Sequence, residues 1–400
     1  MKLVNLREVI LNIGDGGTPS TKIKEYFGGD IPWVNIEDIK KDIYDTKRHL
    51  SESGLKNSSA KLWPEGTLIF SFGASIGKVG IARVKLCTKQ GIAGIIPDPK
   101  KIYNEFLYYI LLRQGDRIRM IGQSMGSTIK EVRPSKLVRL ISFPLPPLPE
   151  QQKIAEILST VDSAIEKVDS AIEKTKRLKK GLMHELLTEG IGHKEFKNTE
   201  IGRIPKEWEV VKLEKVSLGF IGGGTPSTSK PNYWNGDIAW MTSAHLNGRE
   251  VTTGQRYITR EGLKNSATKL VPKDNLLVAT RVGIGKAAVN KIEIAISQDL
   301  TGVIIDKNKA LPEFLYWIII NSEKKLKSLA QGSTIKGILR EELAKLKIPL
   351  PPLHEQKKIA EILSSIDKKL EILRKRKEKL ERIKKGLMED LLTGKKRVKV

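Results

Sequence analysis

Apolar positions along this chain follow two different rhythms. In one, Ile154, Leu158, Val161, Ile165, Val168 and Ile172 are spaced four and three residues apart in alternation. Ile359, Leu363, Ile366, Leu370 and Leu373 repeat that spacing, and Leu380, Ile383 and Leu387 extend it. A repeat of 3.5 residues is the signature of a coiled-coil seam. Each seam follows a Pro-rich lead-in that cannot itself be helical, residues 144–149 in the first case, with Glu150 placed in the first turn where it suits the helix dipole. In the other rhythm, short apolar runs such as Thr67 to Phe72 and Val303 to Asp306 are punctuated by Gly, Pro, Asn and Ser, which predicts strands and turns. Two longer apolar stretches, Glu105 to Ile121 and Glu313 to Leu329, read as helices. The mixture predicts an α/β (mixed α+β) globular module followed by a long helix.

This unit occurs twice. Gly16-Gly17-Thr18-Pro19-Ser20-Thr21 returns 207 positions later as Gly223 to Thr228, and Gly54 to Ser58 returns 208 later as Gly262 to Ser266. Phe106-Leu107-Tyr108 returns as Phe314-Leu315-Tyr316, Gly126 to Lys130 as Gly332 to Lys336, and Pro144 to Leu148 as Pro349 to Leu353. The nearly constant offset makes the halves collinear, a pseudo-two-fold internal repeat in one polypeptide. The expected domains are a first module over 1–143, a lead-in and helix over 144–189, a linker over 190–203, a second module over 204–348, a lead-in and helix over 349–393, and a basic tail over 394–400. Two seams in one chain most simply satisfy each other, with an antiparallel pair the expectation because it relates the modules by a pseudo-two-fold axis, and packing of each helix on its own module the alternative. Helices of about 40 residues would span ~60 Å at ~1.5 Å per residue. DNA half-sites recur every ~34 Å along a duplex, so two modules on such a rod would suit separated half-sites of different sequence.

Charge turns that geometry toward an anionic partner. Lys and Arg total 71 against 46 Asp and Glu, a formal net charge of +25. Nucleic acid, an acidic membrane surface or an acidic protein could answer it, and the duplication favours double-stranded DNA. The second helix and tail, Leu353 to Val400, carry 16 Lys/Arg and 8 Asp/Glu, either a solvated face or a basic cradle for phosphates. Cys87 stands alone and the five histidines are scattered, so neither a disulfide framework nor a thiolate zinc site is expected, and no metal ligands are assigned. The first residues open into a strand-like pattern with no signal peptide, and the longest apolar run, Phe314 to Ile320, is too short for a bilayer. A cytoplasmic protein without a membrane partner is the expectation.

Candidate DNA contacts are the small polar and cationic residues of the repeated turns. They are Thr18, Ser20, Lys22, Lys61, Ser71, Lys78, Gln90, Ser127, Thr128 and Lys130 in the first half. In the second half they are Thr225, Ser227, Lys269, Arg281, Lys286, Gln298, Ser333, Thr334 and Lys336. Hydroxyls beside a cation suit phosphate or base-edge hydrogen bonds, and Gln can read adenine. Helix capping for the Ser-Thr pentads and a buried, satisfied glutamine are equally good readings of the same residues. The GGTPST glycines read as shaping a turn, and Trp33, Trp240, Tyr108-Tyr109 and Tyr316-Trp317 as core. Gly73 to Lys78 has the outline of a phosphate loop. It has one residue too few between its glycines and no Ser or Thr after Lys78, so nucleotide hydrolysis is not expected. Phe220 to Gly224 does not open a helix as a methyl-donor loop would, and no catalytic constellation stands out. On residues alone, a stand-alone nuclease or DNA methyltransferase with duplicated recognition domains stays open, as does a pure tethering protein.

Together, the GGTPST motif followed by Gly29-Asp30-Ile31-Pro32-Trp33, the Gly73 to Gly80 turn, the GSTIK pentad and the PLPPL-x-EQ-x-K-I-A run resemble the specificity (S) subunits of type I restriction-modification systems. The resemblance spans nearly the whole chain, twice. It implies two target recognition domains, each reading half of an asymmetric bipartite DNA site, with the helices as spacer and docking surface for two methyltransferase (M) subunits. Restriction/translocase (R) subunits would join them. It implies no catalysis and no cofactor in this chain, with S-adenosylmethionine, ATP and Mg held by the partners. One departure is visible: Met1 aligns with Trp208, so the first copy lacks Ile204 to Glu207. Its edge would then be incomplete, or completed by residues 190–203.

Overall fold

The computed structural model describes residues 2–72, 75–124, 138–139, 141–330 and 337–399, with the side chains of 116–124 excepted. The chain forms two compact units. The first comprises Met1–Asp169 with Lys375–Val400, and the second Ser170–Arg374.

Each unit contains the same three sheets. In the first unit a five-stranded sheet runs in the order Ile10–Asp15, Ile92–Pro97, Leu68–Ser71, Val79–Ala82, Asp42–Ile43, and a four-stranded sheet in the order His49–Leu50, Phe27–Val34, Leu86–Thr88, Leu62–Trp63. The second unit repeats both orders, with Ser217–Gly222, Leu300–Ile305, Asn275–Ala279, Ala287–Asn290, Glu250–Val251 and with Arg256–Ile258, Trp234–Met241, Ile294–Ile296, Lys269–Val271. Both sheets mix parallel and antiparallel pairs, for example Trp33 beside Cys87 in parallel and Ile92 against Ser71 in antiparallel register. The central strands read as unbroken apolar runs because both their faces are covered. Leu68 and Phe70 enter one core while Ile69 enters another, and Leu276 and Val278 are divided from Leu277 in the same way.

A third, two-stranded sheet closes each module. Lys2–Asn5 pairs with Ser142–Leu145, and Glu209–Lys212 with Lys347–Leu350. In the first module this pairing joins residues 2–5 to the strand just ahead of the long helix. Residues 190–203 do not complete that module's edge: Phe196–Thr199 and Gly202–Pro205 form a hairpin within the second unit.

The expected module helices are present, with one difference between copies. Asn104–Ser124 is continuous, whereas its counterpart is Pro312–Asn321 followed, after Ser322, by Glu323–Ser328. The long helices run Leu148–Thr188 and Leu353–Leu392. The first begins inside the segment expected to be non-helical, since Pro149 occupies its first turn, where a missing N–H costs nothing.

Within each unit these helices pair antiparallel. In the first unit Lys384 meets Asp162 at 2.6 Å and Lys377 meets Asp169 at 2.7 Å, one heptad apart in opposite directions. In the second, Lys179 meets Asp367 at 2.5 Å. The seam residues Ile154, Leu158, Val168, Ile172, Ile359, Leu363, Ile366 and Leu370 are buried, and Val161, Ile165 and Leu373 are half-buried. Ile383 departs from the expected seam and is 42% exposed. Lys377 and Lys384 take the alternating positions there, so the seam continues as ion pairs. Each helix start also packs on its own module: Ile154 and Leu158 share a core with Phe106 and Phe143, and Ile359 and Leu363 with Phe314 and Ile348.

Candidate DNA-contact surface

The GGTPST loop is a backbone device in both modules. Gly16 donates to Ile92 O at 3.1 Å and Gly17 to Thr88 O at 2.9 Å, while Gly224 donates to Ile296 O at 3.0 Å. A Cβ on Gly16 would sit 2.2 Å from Thr88 O, and on Gly223 2.1 Å from Ile296 O, so no other residue fits at either position. The core tryptophans hold the loop from beneath: Trp33 Nε1 donates to Gly17 O at 3.1 Å and Trp240 Nε1 to Gly224 O at 3.2 Å. Both indoles are almost fully buried.

That anchoring brings predicted residues together. In the second module Thr225 Oγ1 donates to Gln298 Oε1 at 2.6 Å. Next to Gln298, Asp299 O accepts from Thr280 N at 2.9 Å, and Thr280 O in turn accepts from Ile338 N at 2.7 Å. The segment leaving the second pentad therefore lies on Thr280-Arg281, with the Arg281 side chain against Gly337. Thr225, Ser227, Lys269, Arg281, Lys286 and Gln298 are all exposed. In the first module Gly17 approaches Ser59-Ala60, the Lys61 ammonium lies over Gly14, and Phe72 N donates to Gly91 O at 3.0 Å beside Gln90. Ser20, Lys22, Lys61, Lys78 and Gln90 are exposed and Thr18 is half-buried. The buried-glutamine alternative for Gln90 and Gln298 is thus overturned.

Two outcomes depart from the sequence reading, and one set of expected residues is not described. Ser71 is fully buried; its hydroxyl donates to Ser75 O at 2.5 Å and accepts from Lys78 N at 2.9 Å, so it shapes the turn and offers nothing to a ligand. Lys78 Nζ donates to Ile36 O at 2.9 Å, tying that turn to a neighbouring loop. Ser127, Thr128, Lys130, Ser333, Thr334 and Lys336 lie outside the described residues.

The basic tail is largely neutralised within the first unit. Lys395 pairs with Glu389 at 2.7 Å and Lys396 with Asp390 at 2.6 Å. Arg397 forks onto the buried Glu150 carboxylate at 2.7 and 2.6 Å, and Val398 N adds a third bond at 3.1 Å. The Arg397 hydrogen bonds hold the Glu150 carboxyl below its ordinary range. In the second unit the equivalent Glu355 is met instead by Ile191 N at 2.9 Å, His193 Nε2 at 2.9 Å and Trp208 Nε1 at 3.0 Å. The neighbouring glutamines are pins. Gln151 bonds Tyr103 N, Lys101 O and Pro146 O, and Gln356 bonds Leu311 N, Lys309 O and Pro351 O, at 2.8 to 3.0 Å. This accounts for the PLPPL-x-EQ run: it fastens each long helix to the loop ahead of its module helix. Burial pushes the Cys87 thiol up to about 12, which leaves it unreactive.

Two cations escaped the sequence reading. Arg48 and Arg256 are exposed and stack on aromatic rings at equivalent places. No spacing rule marks them, since their ring partners lie some twenty residues earlier in the chain.

The model of the type I restriction modification DNA specificity domain matches residues 1–174 and again 205–382. A Methanocaldococcus jannaschii protein, provisionally named the type I restriction enzyme MjaX specificity subunit, is 34% identical over 100% of this chain and 93% of its own length. The type I restriction enzyme MjaVIII specificity subunit of the same organism is 31% identical, over 98% of this chain and 93% of its own. Among solved structures, the S subunit of a type I restriction-modification system from M. genitalium aligns with a TM-score of 0.61 at 18% identity, covering 98% of this chain and 96% of that one. That likeness bears on the fold, and the family match bears on kind: the chain belongs to the type I restriction-modification DNA specificity family and carries its domain twice.

Proposed function

We propose that the two modules read the two unlike halves of an asymmetric bipartite site on double-stranded DNA, and that this chain selects the site while partner subunits do the chemistry. Those partners are two methyltransferase subunits and the restriction/translocase subunits, which would hold S-adenosylmethionine, ATP and Mg. The complex would act in the cytoplasm; among the described residues no helix is long and apolar enough to cross a membrane.

The observation that carries the reading is one scaffold holding different side chains at matching places. The loop, its tryptophan anchor and the glutamine beside it are common to both modules. Arg281, exposed in the second, falls where the first has Gly73. A guanidinium can fork onto guanine, and glycine cannot, so the modules would prefer different sequences. The test exchanges residues 1–143 for the matching module of a relative with another site, then maps methylated positions in cells carrying the complex. One half-site should change and the other stay; a change in both halves refutes modular reading.

A further inference from the structure

In both modules an arginine lies over the aromatic ring that opens the strand after the GGTPST loop. The Arg256 guanidinium carbon is 3.6 Å from the centroid of Trp234, and that of Arg48 is 4.9 Å from Phe27 and 5.2 Å from Trp33. Strand pairing makes the two equivalent: Trp240 stands opposite Arg256, and Trp33 N donates to Arg48 O at 3.0 Å. The rings belong to the loop's own support. Trp234 Nε1 donates to Ser227 O at 3.1 Å, and Trp234 packs edge-on against Trp240 at 5.3 Å.

Neither guanidinium forms an ion pair or hydrogen bond with a described residue. Arg83, by contrast, pairs with Asp42 and Glu105, and Arg397 forks onto Glu150. A guanidinium stacked on a ring keeps its N–H donors at its edge, pointed away from the ring, and has already lost much of its freedom. It is prepared for a bidentate anion. Guanine is the other partner of that shape. A residue kept on the same scaffold in both modules, however, cannot discriminate between unlike half-sites. The ligand must be common to both, which leaves the phosphodiester backbone.

We propose that Arg48 and Arg256 are equivalent phosphate clamps, one per module, that seat each module on the DNA backbone without reading its sequence. This rests on the chain being a DNA-recognition subunit. The experiment measures binding of the full complex to duplexes with and without its site over a series of salt concentrations, for the native chain, Arg48→Gln, Arg256→Gln and Arg256→Lys. Each Gln variant should weaken both duplexes by a similar factor and lower the slope of log affinity against log salt by about 0.9. The Lys variant should keep most of the slope. Replacing single phosphates by neutral methylphosphonates should weaken the native complex at one or more positions in each half-site, and Arg256→Gln should be insensitive at those of its own half. Unchanged slopes would make the arginines mere covers for the rings, and an altered base preference would make them readers; either overturns the proposal. If a Gln variant fails to fold, a methylphosphonate scan of the native complex without a sensitive phosphate in each half-site overturns it alone. A native complex whose affinity ignores salt and site would instead sink the DNA-recognition reading.

Discussion

Replacing Asp162 by Asn should cost the first unit far more than the equivalent change costs the second. The Asp162 carboxylate accepts from Tyr109 Oη at 2.6 Å and meets Lys384 at 2.6 Å and Lys41 at 3.4 Å. Its side chain is 12% exposed, and those of Lys41 and Lys384 are 16% and 21% exposed. Asn keeps the shape and removes the charge, leaving two poorly hydrated ammonium groups facing one another. Breaking one partner of a buried pair costs roughly 3–5 kcal/mol, and the partial exposure of the lysines puts this case near ~3 kcal/mol. At the matching place in the second unit Asp367 meets, among the described residues, Lys179 alone, with side-chain exposures of 29% and 24%. Trp317 stands where Tyr109 does, and the Lys179 ammonium lies 4.9 Å from its ring centroid. Asp367→Asn leaves one cation with water and a π-face, a loss of about 1 kcal/mol. Whole-chain melting would blur two units, so the assay is amide hydrogen exchange by segment. Protection over 104–113 and 155–165 should fall on the order of 100-fold in Asp162→Asn, while 314–319 and 359–367 should lose roughly fivefold in Asp367→Asn. Equal losses in the two variants would refute the reasoning, because the pairs would then be worth the same whatever their burial.

Two further outcomes are expected. The folded Glu150 carboxyl is held below its ordinary range, so the stability it lends is whole above the unfolded carboxylate pKa of about 4.3 and is lost as pH falls through the folded value. Protease cleavage of residues 393–399 should therefore rise in acid, and Glu150→Gln should show that cleavage already at neutral pH; tail protection that ignores both changes would contradict the bonding. Gly223→Ala must push a backbone carbonyl out of a 2.1 Å approach, whereas a Cβ on Gly219 meets nothing within 4 Å. The first variant should lose most second half-site affinity and the second almost none, measured by binding to duplexes with either half scrambled.

Some of this was legible in the sequence because it has a period. The seam from Ile154 to Ile172 and from Ile359 to Leu373 followed from 4-3 spacing, and the duplicated sheets followed from collinear motifs. The seam's continuation did not. After Leu380 the next apolar residue is Ile383, which counting by hydrophobicity takes as the seam, but the true position is Lys384. A lysine in a seam looks like surface until the facing Asp162 is known, and that partner comes from a distant, antiparallel helix. Ser71 misled for a related reason. A serine ending a strand beside a glycine turn looks like a polar tip, yet both sides of that strand are covered. The loop glycines and Trp33 and Trp240 were readable as scaffold, but their indole-to-carbonyl bonds were not, since spacing carries no side-chain direction.

Glu150 and Glu355 show why repeated polar residues in this chain divide into two kinds. Both occupy the first turn of a long helix, and both carboxylates are almost fully buried with three donors. One set comes from Arg397 and Val398, the other from Ile191, His193 and Trp208. The requirement is a satisfied buried charge, and different residues can meet it. A repeated residue with saturated partners is thus accounted for by the scaffold. Arg48 and Arg256 are repeated and exposed, each over a ring but without an ion pair or side-chain hydrogen bond among the described residues, which is the pattern the proposed phosphate contact requires. Arg281 is exposed but not repeated, which is the pattern that base discrimination requires. On the proposed reading the two copies separate three roles that one copy would confound: what is repeated and saturated folds the protein, what is repeated and unsaturated would grip any DNA, and what is exposed and different would choose which DNA.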